Sequence, residues 1–198
     1  MIKKNVIFII GSNASGKTTV AKMLHDKLGD SKKQIIKGEI DGVEYCYTSF
    51  GSVCHVGAVN DNQCTGTDTL SKKIQVETSY IMALNDEHSQ IIILDPIMST
   101  GKYVDFLKQF DVNLMLIYLH FNTPEENFIR VLNRRYEKNG SKEPLDDKTK
   151  ENLTGKQRGF YSLFNRTKDI VDCWMKIDAV KDRKYIENSV IEFISNNL

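Results

Sequence analysis

Residues 5–19 read NVIFIIGSNASGKTT. Val6 to Ile10 is an unbroken apolar run rich in isoleucine, the pattern of a strand covered on both faces of a parallel sheet. It leads directly into Gly11, four residues, Gly16, Lys17 and Thr18, and from Thr18 to Leu28 apolar residues return at helical spacing. The spacing GxxxxGK(S/T) between a strand and a helix is a phosphate-binding pattern. Glycines let backbone N–H groups turn inward around phosphate oxygens, and the following helix offers its positive end to the same charge. The reading predicts that Gly11, Ser12, Asn13, Ala14, Ser15, Gly16, Lys17, Thr18 and Thr19 hold ATP. Lys17 would reach the β and γ phosphates, and the Thr18 hydroxyl would ligate a magnesium ion (Mg2+).

Outward from this stretch, the chain is ordinary in make-up. Its 198 residues carry 27 Lys plus Arg against 26 Asp plus Glu, with 40% hydrophobic residues, which excludes disorder, collagen and coiled coil. That length predicts a single domain over residues 1–198. No apolar run approaches the roughly 20 residues of a membrane span, and the two lysines before Val6 lead into the glycine-rich turn instead of a signal-cleavage site. A cytoplasmic protein, in the host cytoplasm if phage-encoded, is the expectation. Cys46, Cys54, Cys64 and Cys173 form no CxxC pair; a metal site from Cys46, Cys54, His55 and Cys64 is conceivable, but reduced thiols are the simpler reading. Charge is unevenly spread: Glu126 to Lys168 holds eleven Lys plus Arg against six Asp plus Glu. A surface that receives phosphate and a solvated helical face both fit that surplus.

Ile91 to Leu94 and Leu114 to Leu119 repeat the buried-strand pattern, and Trp174 to Ile177 reads as a last strand. Helical patterns lie between them: Leu70 to Leu84, Tyr103 to Phe110, Pro124 to Tyr136, and finally Ile186 to Ile194. Strands alternating with helices predict an α/β fold with a central parallel sheet of about five strands. Two stretches break the rhythm. Ile35 to Val59 reads as a β-hairpin turning around Ser49 to Ser52, the main part of a flap insertion over 35–67. Lys138 to Lys156, with Gly140, Pro144 and Gly155, reads as an irregular loop within a lid region over 134–160.

The phosphate-binding pattern, together with LMLIYLHF followed by NTPEENFIRVLNRR, resembles the P-loop kinases of nucleosides, nucleotides and polynucleotides over most of the chain. The resemblance implies a three-layer P-loop NTPase fold with a helical lid, and an enzyme that transfers the γ-phosphate of ATP to a hydroxyl acceptor. It implies that arginines matching Arg130, Arg134 and Arg135 neutralise the transferring group. The four-residue spacing puts Arg130 and Arg134 on one helix face toward the lid, with Arg135 pointing elsewhere. Asp95, ending IIILD, is a candidate magnesium-side acid with Thr18.

A kinase acceptor also needs a carboxylate near its hydroxyl. Asp68 in CTGTDTL is the first choice of base, with a helix cap as its ordinary alternative, then Asp95; Asp41 and Asp61 are lesser options. SFGSVCHVGAV and CTGTDTLS resemble, more loosely, phage kinases acting on 5-hydroxymethyluracil in DNA. In that case Tyr45, Tyr47, Phe50 and His55 are candidates to stack on a flipped base, and the basic lid would hold the DNA backbone. A kinase for free nucleosides or nucleotides and a non-catalytic NTP-binding module are the alternatives; clustered lid arginines argue against the module. No oligomeric state is legible.

Overall fold

The computed structural model describes residues 3–60, 66–96 and 102–198. Among them seven strands form one sheet: β1 (Lys4–Gly11), β2 (Gln34–Ile40), β3 (Val43–Ser49), β4 (Val53–Val56), β5 (Ile91–Leu94), β6 (Val112–His120) and β7 (Cys173–Asp178). Their order is β2-β3-β4-β5-β1-β6-β7, and β4, β5, β1, β6 and β7 run parallel. Six helices cover the sheet: α1 (Lys17–Leu28), α2 (Lys73–Asn85), α3 (Lys102–Leu107), α4 (Pro124–Asn139), α5 (Asp147–Thr167) and α6 (Arg183–Ser195).

β1 shows why three layers form. Successive strand residues face opposite sides, so Val6, Phe8 and Ile10 pack with α2, α3 and α5, while Ile7 and Ile9 pack with α1 and α6. All five side chains are fully buried. At about 1.5–3 kcal/mol for each large apolar side chain, this strand alone ties both outer layers to the sheet.

The hairpin departs from expectation in its placement. β3 and β4 do pair antiparallel, but β4 also pairs parallel with β5, so it is a strand of the parallel sheet and its four residues are buried. The projecting pair is β2 with β3, joined at Asp41 and Gly42, both at positive φ. Asp41 is an exposed turn residue, which removes it as a base, and Asp61 lies outside the described residues.

The lid also differs. Irregular chain is confined to 140–146, because α4 continues to Asn139 and α5 starts at Asp147, where Asp146 caps it by accepting from the Thr149 N–H. Gly155, expected to break the chain, lies inside α5. A glycine costs a helix about 1 kcal/mol. Leu153, Phe160, Leu163 and Phe164 bury one stripe of the same helix and outweigh it.

Candidate active site

The loop between β1 and α1 has the conformation its glycines predict. Gly11 is held where a Cβ would lie 2.6 Å from the Leu119 carbonyl oxygen, so no larger residue fits. The Ser15 N–H donates to the Ser12 carbonyl at 3.3 Å and the first intrahelical bond of α1 runs from the Val20 N–H to the Gly16 carbonyl, leaving the amides of Gly16 to Thr19 as potential anion donors. Asn127 of α4 is fully buried and donates from Nδ2 to Ser12 Oγ at 3.1 Å; Lys156 of α5 donates to Asn13 Oδ1 at 3.4 Å.

Lys17 Nζ donates to the Gly11 carbonyl at 2.8 Å and lies 5.7 Å from the centre of the Phe160 ring. Burial pushes its pKa down; Asp95 and then Asp68 pull it up, while Lys156 and Arg134 push it further down. The site therefore gathers two carboxylates and two cations around one half-buried ammonium.

Asp95, just beyond β5, is 1% exposed. Its Oδ1 accepts from His55 Nε2 at 2.9 Å and from the Thr67 N–H at 3.1 Å, and its own N–H donates to Thr67 Oγ1 at 3.2 Å. Thr67 opens a single 3-10 turn, Thr67–Thr69, so Asp68 is the neighbour of a residue bonded twice to Asp95. Asp68 does not cap α2, which begins only at Lys73; the N–H groups of Ser71 and Lys72 before it are taken by Gln75 Oε1.

The lid arginines separate. Arg130 Nη2 donates to the Ala179 carbonyl at 3.4 Å, beyond the end of β7, while Arg134 is felt by Lys17. Arg135 acts on Asp146, whose carboxyl is held low first by the Thr149 N–H. Arg130 thus reaches the β7–α6 connection, Arg134 acts on Lys17 of the phosphate loop, and Arg135 acts on Asp146 in the 140–146 connection.

The residues expected to stack on a base are otherwise engaged. Tyr47 is buried and donates its hydroxyl to Asp86 Oδ2 at 3.0 Å; Tyr45 packs against the apolar layer over α2. His55 is 1% exposed, and Phe50 stacks on His25 with ring centres 4.1 Å apart. The cause is β4's place in the core: what projects in a flap is buried in a sheet. Cys46 and Cys54 are buried thiols, and burial raises the pKa of Cys54 to about 11. Among the described residues no three His, Cys, Asp or Glu cluster as a metal site, and Cys64 lies outside them.

His25, Lys156 and Phe160 carry no pattern that marks them in the sequence. Asn127 alone had a local cue, as a polar residue on the helix opened by the Thr123 cap and Glu126 box.

Compared with solved structures, the chain superposes on a fungal RNA kinase with a TM-score of 0.59, at 14% identity, covering 99% of this chain and 88% of that one. The fold is that of the P-loop kinases. A shikimate kinase from Acinetobacter baumannii, in complex with shikimate, superposes with a TM-score of 0.50 at 13% identity, covering 98% and 94%. No family model matches the sequence, and no curated protein matches it. Among the described residues no helix is long and apolar enough to cross a membrane.

In this P-loop kinase fold, Ser15 Oγ and Asp95 Oδ2 are buried without a hydrogen-bond partner among the described residues. Buried polar atoms left unmet cost about 1–3 kcal/mol each. An anionic phosphate and its cation would satisfy one atom each, so the residues fit a magnesium nucleotide.

Proposed function

We propose that the chain is an ATP-dependent kinase whose acceptor is a hydroxyl group, and that the favoured acceptor is the hydroxymethyl oxygen of 5-hydroxymethyluracil in DNA. One arrangement carries the kinase reading: Asp68 adjoins Thr67, which is bonded twice to Asp95, and both carboxylates act on Lys17 in the phosphate loop. A module that only binds nucleotide needs no second carboxylate beside that lysine.

In the proposed reaction the acceptor oxygen forms a bond to the γ phosphorus as the bond from that phosphorus to the β–γ bridging oxygen breaks. Asp68 takes the hydroxyl proton, and ADP leaves. Thr18 and Asp95 would hold Mg2+, which when bound supplies neutralising charge to the phosphates. Lys17 and Arg134 place cations about the transferred group, and the half-buried setting of Lys17 strengthens its share.

For a DNA strand, support comes from the surplus of cations in Glu126 to Lys168 and from a cavity of about 300 Å³ beside α5. Its lining includes Tyr118, His120, Arg158, Tyr161 and Lys176, and the Lys176 ammonium lies 5.7 Å from the Tyr161 ring centre. Aromatic faces among cations suit single-stranded nucleic acid. Burial of Tyr47 and His55 favours the second reading, a free nucleoside or nucleotide acceptor that needs no stacking flap.

Labelled ATP incubated with a hydroxymethyluracil oligonucleotide, free nucleosides and free nucleotides separates the two. Label retained in the oligonucleotide, and lost steeply with added salt, supports the DNA acceptor; label only in small molecules supports the alternative; none in any acceptor sinks the kinase reading. Asp68→Asn is expected to lower the chemical step about 10²-fold or more with ATP affinity retained, measured in single turnover. A fall in thermal stability alone would strip Asp68 of the role.

A further inference from the structure

Three buried side chains from three separate elements form a line that phosphate binding does not require. His25 on α1, His55 on β4 and Asp95 after β5 are 5%, 1% and 1% exposed. His25 Nε2 lies 3.0 Å from His55 Nδ1, and His55 Nε2 lies 2.9 Å from Asp95 Oδ1. The network assigns the protons. An ionised Asp95 needs a donor, so His55 carries its proton on Nε2; its Nδ1 is then an acceptor, and His25 supplies the N–H. Burial, then the neighbouring His55 and Lys22, lowers the pKa of His25 to about 3, consistent with a neutral ring.

The far end of the line is braced as well. Phe50 stacks on the His25 ring at an interplanar angle of 17°. At the near end a Cβ on Gly66 would lie 2.6 Å from Asp95 Oδ1 and closer still to His55 Nε2, so the chain passes over this bond where only glycine fits. With the Thr67 N–H also bound to Oδ1, that oxygen accepts two donors, while Oδ2 is buried with no partner among the described residues.

We propose that His25 and His55 are positioning residues: by occupying Oδ1 through a relay of two imidazole N–H bonds, they fix the Asp95 carboxylate so that Oδ2 alone is presented to the phosphoryl site. The proposal deepens the kinase reading and rests on Asp95 acting there as the magnesium-side acid. Substituting outer partners of a ligating carboxylate typically costs 10–100-fold in metal affinity or activity. The relay is one step longer than that and passes through a second ring.

The test uses His25→Phe, which keeps a ring against Phe50 but removes the donor, His25→Gln, which restores an N–H, and Asp95→Asn as reference. Mn2+ affinity is measured by electron paramagnetic resonance with a non-hydrolysable ATP analogue, alongside kcat and KM. The expected result is a loss of about 10-fold in Mn2+ affinity and kcat for His25→Phe, little change in KM for ATP, and partial recovery in His25→Gln. If Asp95→Asn behaves as wild type, the reading of Asp95 falls. If Asp95→Asn is impaired and His25→Phe loses only thermal stability, the relay is structural and the inference is overturned. Should His25→Phe fail to fold, the imidazole nitrogen shifts of the unaltered protein decide: a proton on His55 Nε2 and none on Nδ1 supports the relay, and the opposite tautomer overturns it.

Discussion

The two flanks of the phosphate loop are built on opposite principles. On the β4–β5 flank, His25, His55, Thr67 and Asp95 are nearly or fully buried and bonded to one another at 2.9–3.2 Å. On the α4–α5 flank the cations are held loosely: Lys156 reaches Asn13, and Arg130 reaches Ala179, each at 3.4 Å. Carboxylate orientation tolerates little error, because hydrogen bonds weaken steeply off-axis. A cation over a phosphoryl group acts through its Coulomb energy, which falls only inversely with distance. One flank can therefore be fixed and the other left to close.

The largest expected effect strikes where the flanks meet. Lys17→Ala should lower phosphoryl transfer by at least about 10³-fold, with circular dichroism and unfolding midpoint unchanged; turnover near wild type would remove the site from this loop. On the lid flank, Arg134→Ala should cost about 10²-fold in kcat, with Arg134→Lys recovering part of it, as expected of a cation acting by its field. Equal losses in Arg134→Lys and Arg134→Ala would show that the lid demands fixed geometry too, and the contrast between flanks would dissolve.

The buried flank should instead betray itself in acid. His25 has its pKa lowered by burial to about 3, whereas in the unfolded chain it stays near 6.5. Between those values the unfolded state binds the extra proton, so stability rises with pH and falls as pH drops through the window. From pH 7 to pH 5 the loss from this residue is about 2 kcal/mol, read as urea unfolding of the unaltered protein against His25→Phe. Parallel pH profiles for the two would mean that His25 is not kept neutral by burial.

What could be read in advance divides along a physical line. β1, the phosphate loop, β5, β6 and the Thr123 cap of α4 are marked by contiguous patterns, because their function or burial depends on neighbours in the chain. β2 escaped because it is an edge strand exposed along most of its length, although Asp41-Gly42 is a hairpin signal. β4 was visible as a strand but misplaced, since pairing with β5 is a long-range choice. The relay left no trace: His25, His55 and Asp95 lie 30 and 40 residues apart, and only folding lines them up.

The lid helix offers the smallest test and the most direct one of its continuity. Gly155 lies inside α5 with no atom within 4 Å of where a Cβ would stand, and its φ is not in the left-handed region. An alanine there has room and an allowed backbone, and it removes unfolded-chain entropy as well as the helix penalty of glycine. Gly155→Ala should thus stabilise the protein by about 0.5–1 kcal/mol, seen as a higher urea midpoint at unchanged slope. If α5 moves over the loop as one rigid body, kcat stays as it was, since the motion belongs to the 140–146 connection. A slower turnover with the same gain in stability would place the bend at Gly155 instead, making the glycine the hinge of the closing flank.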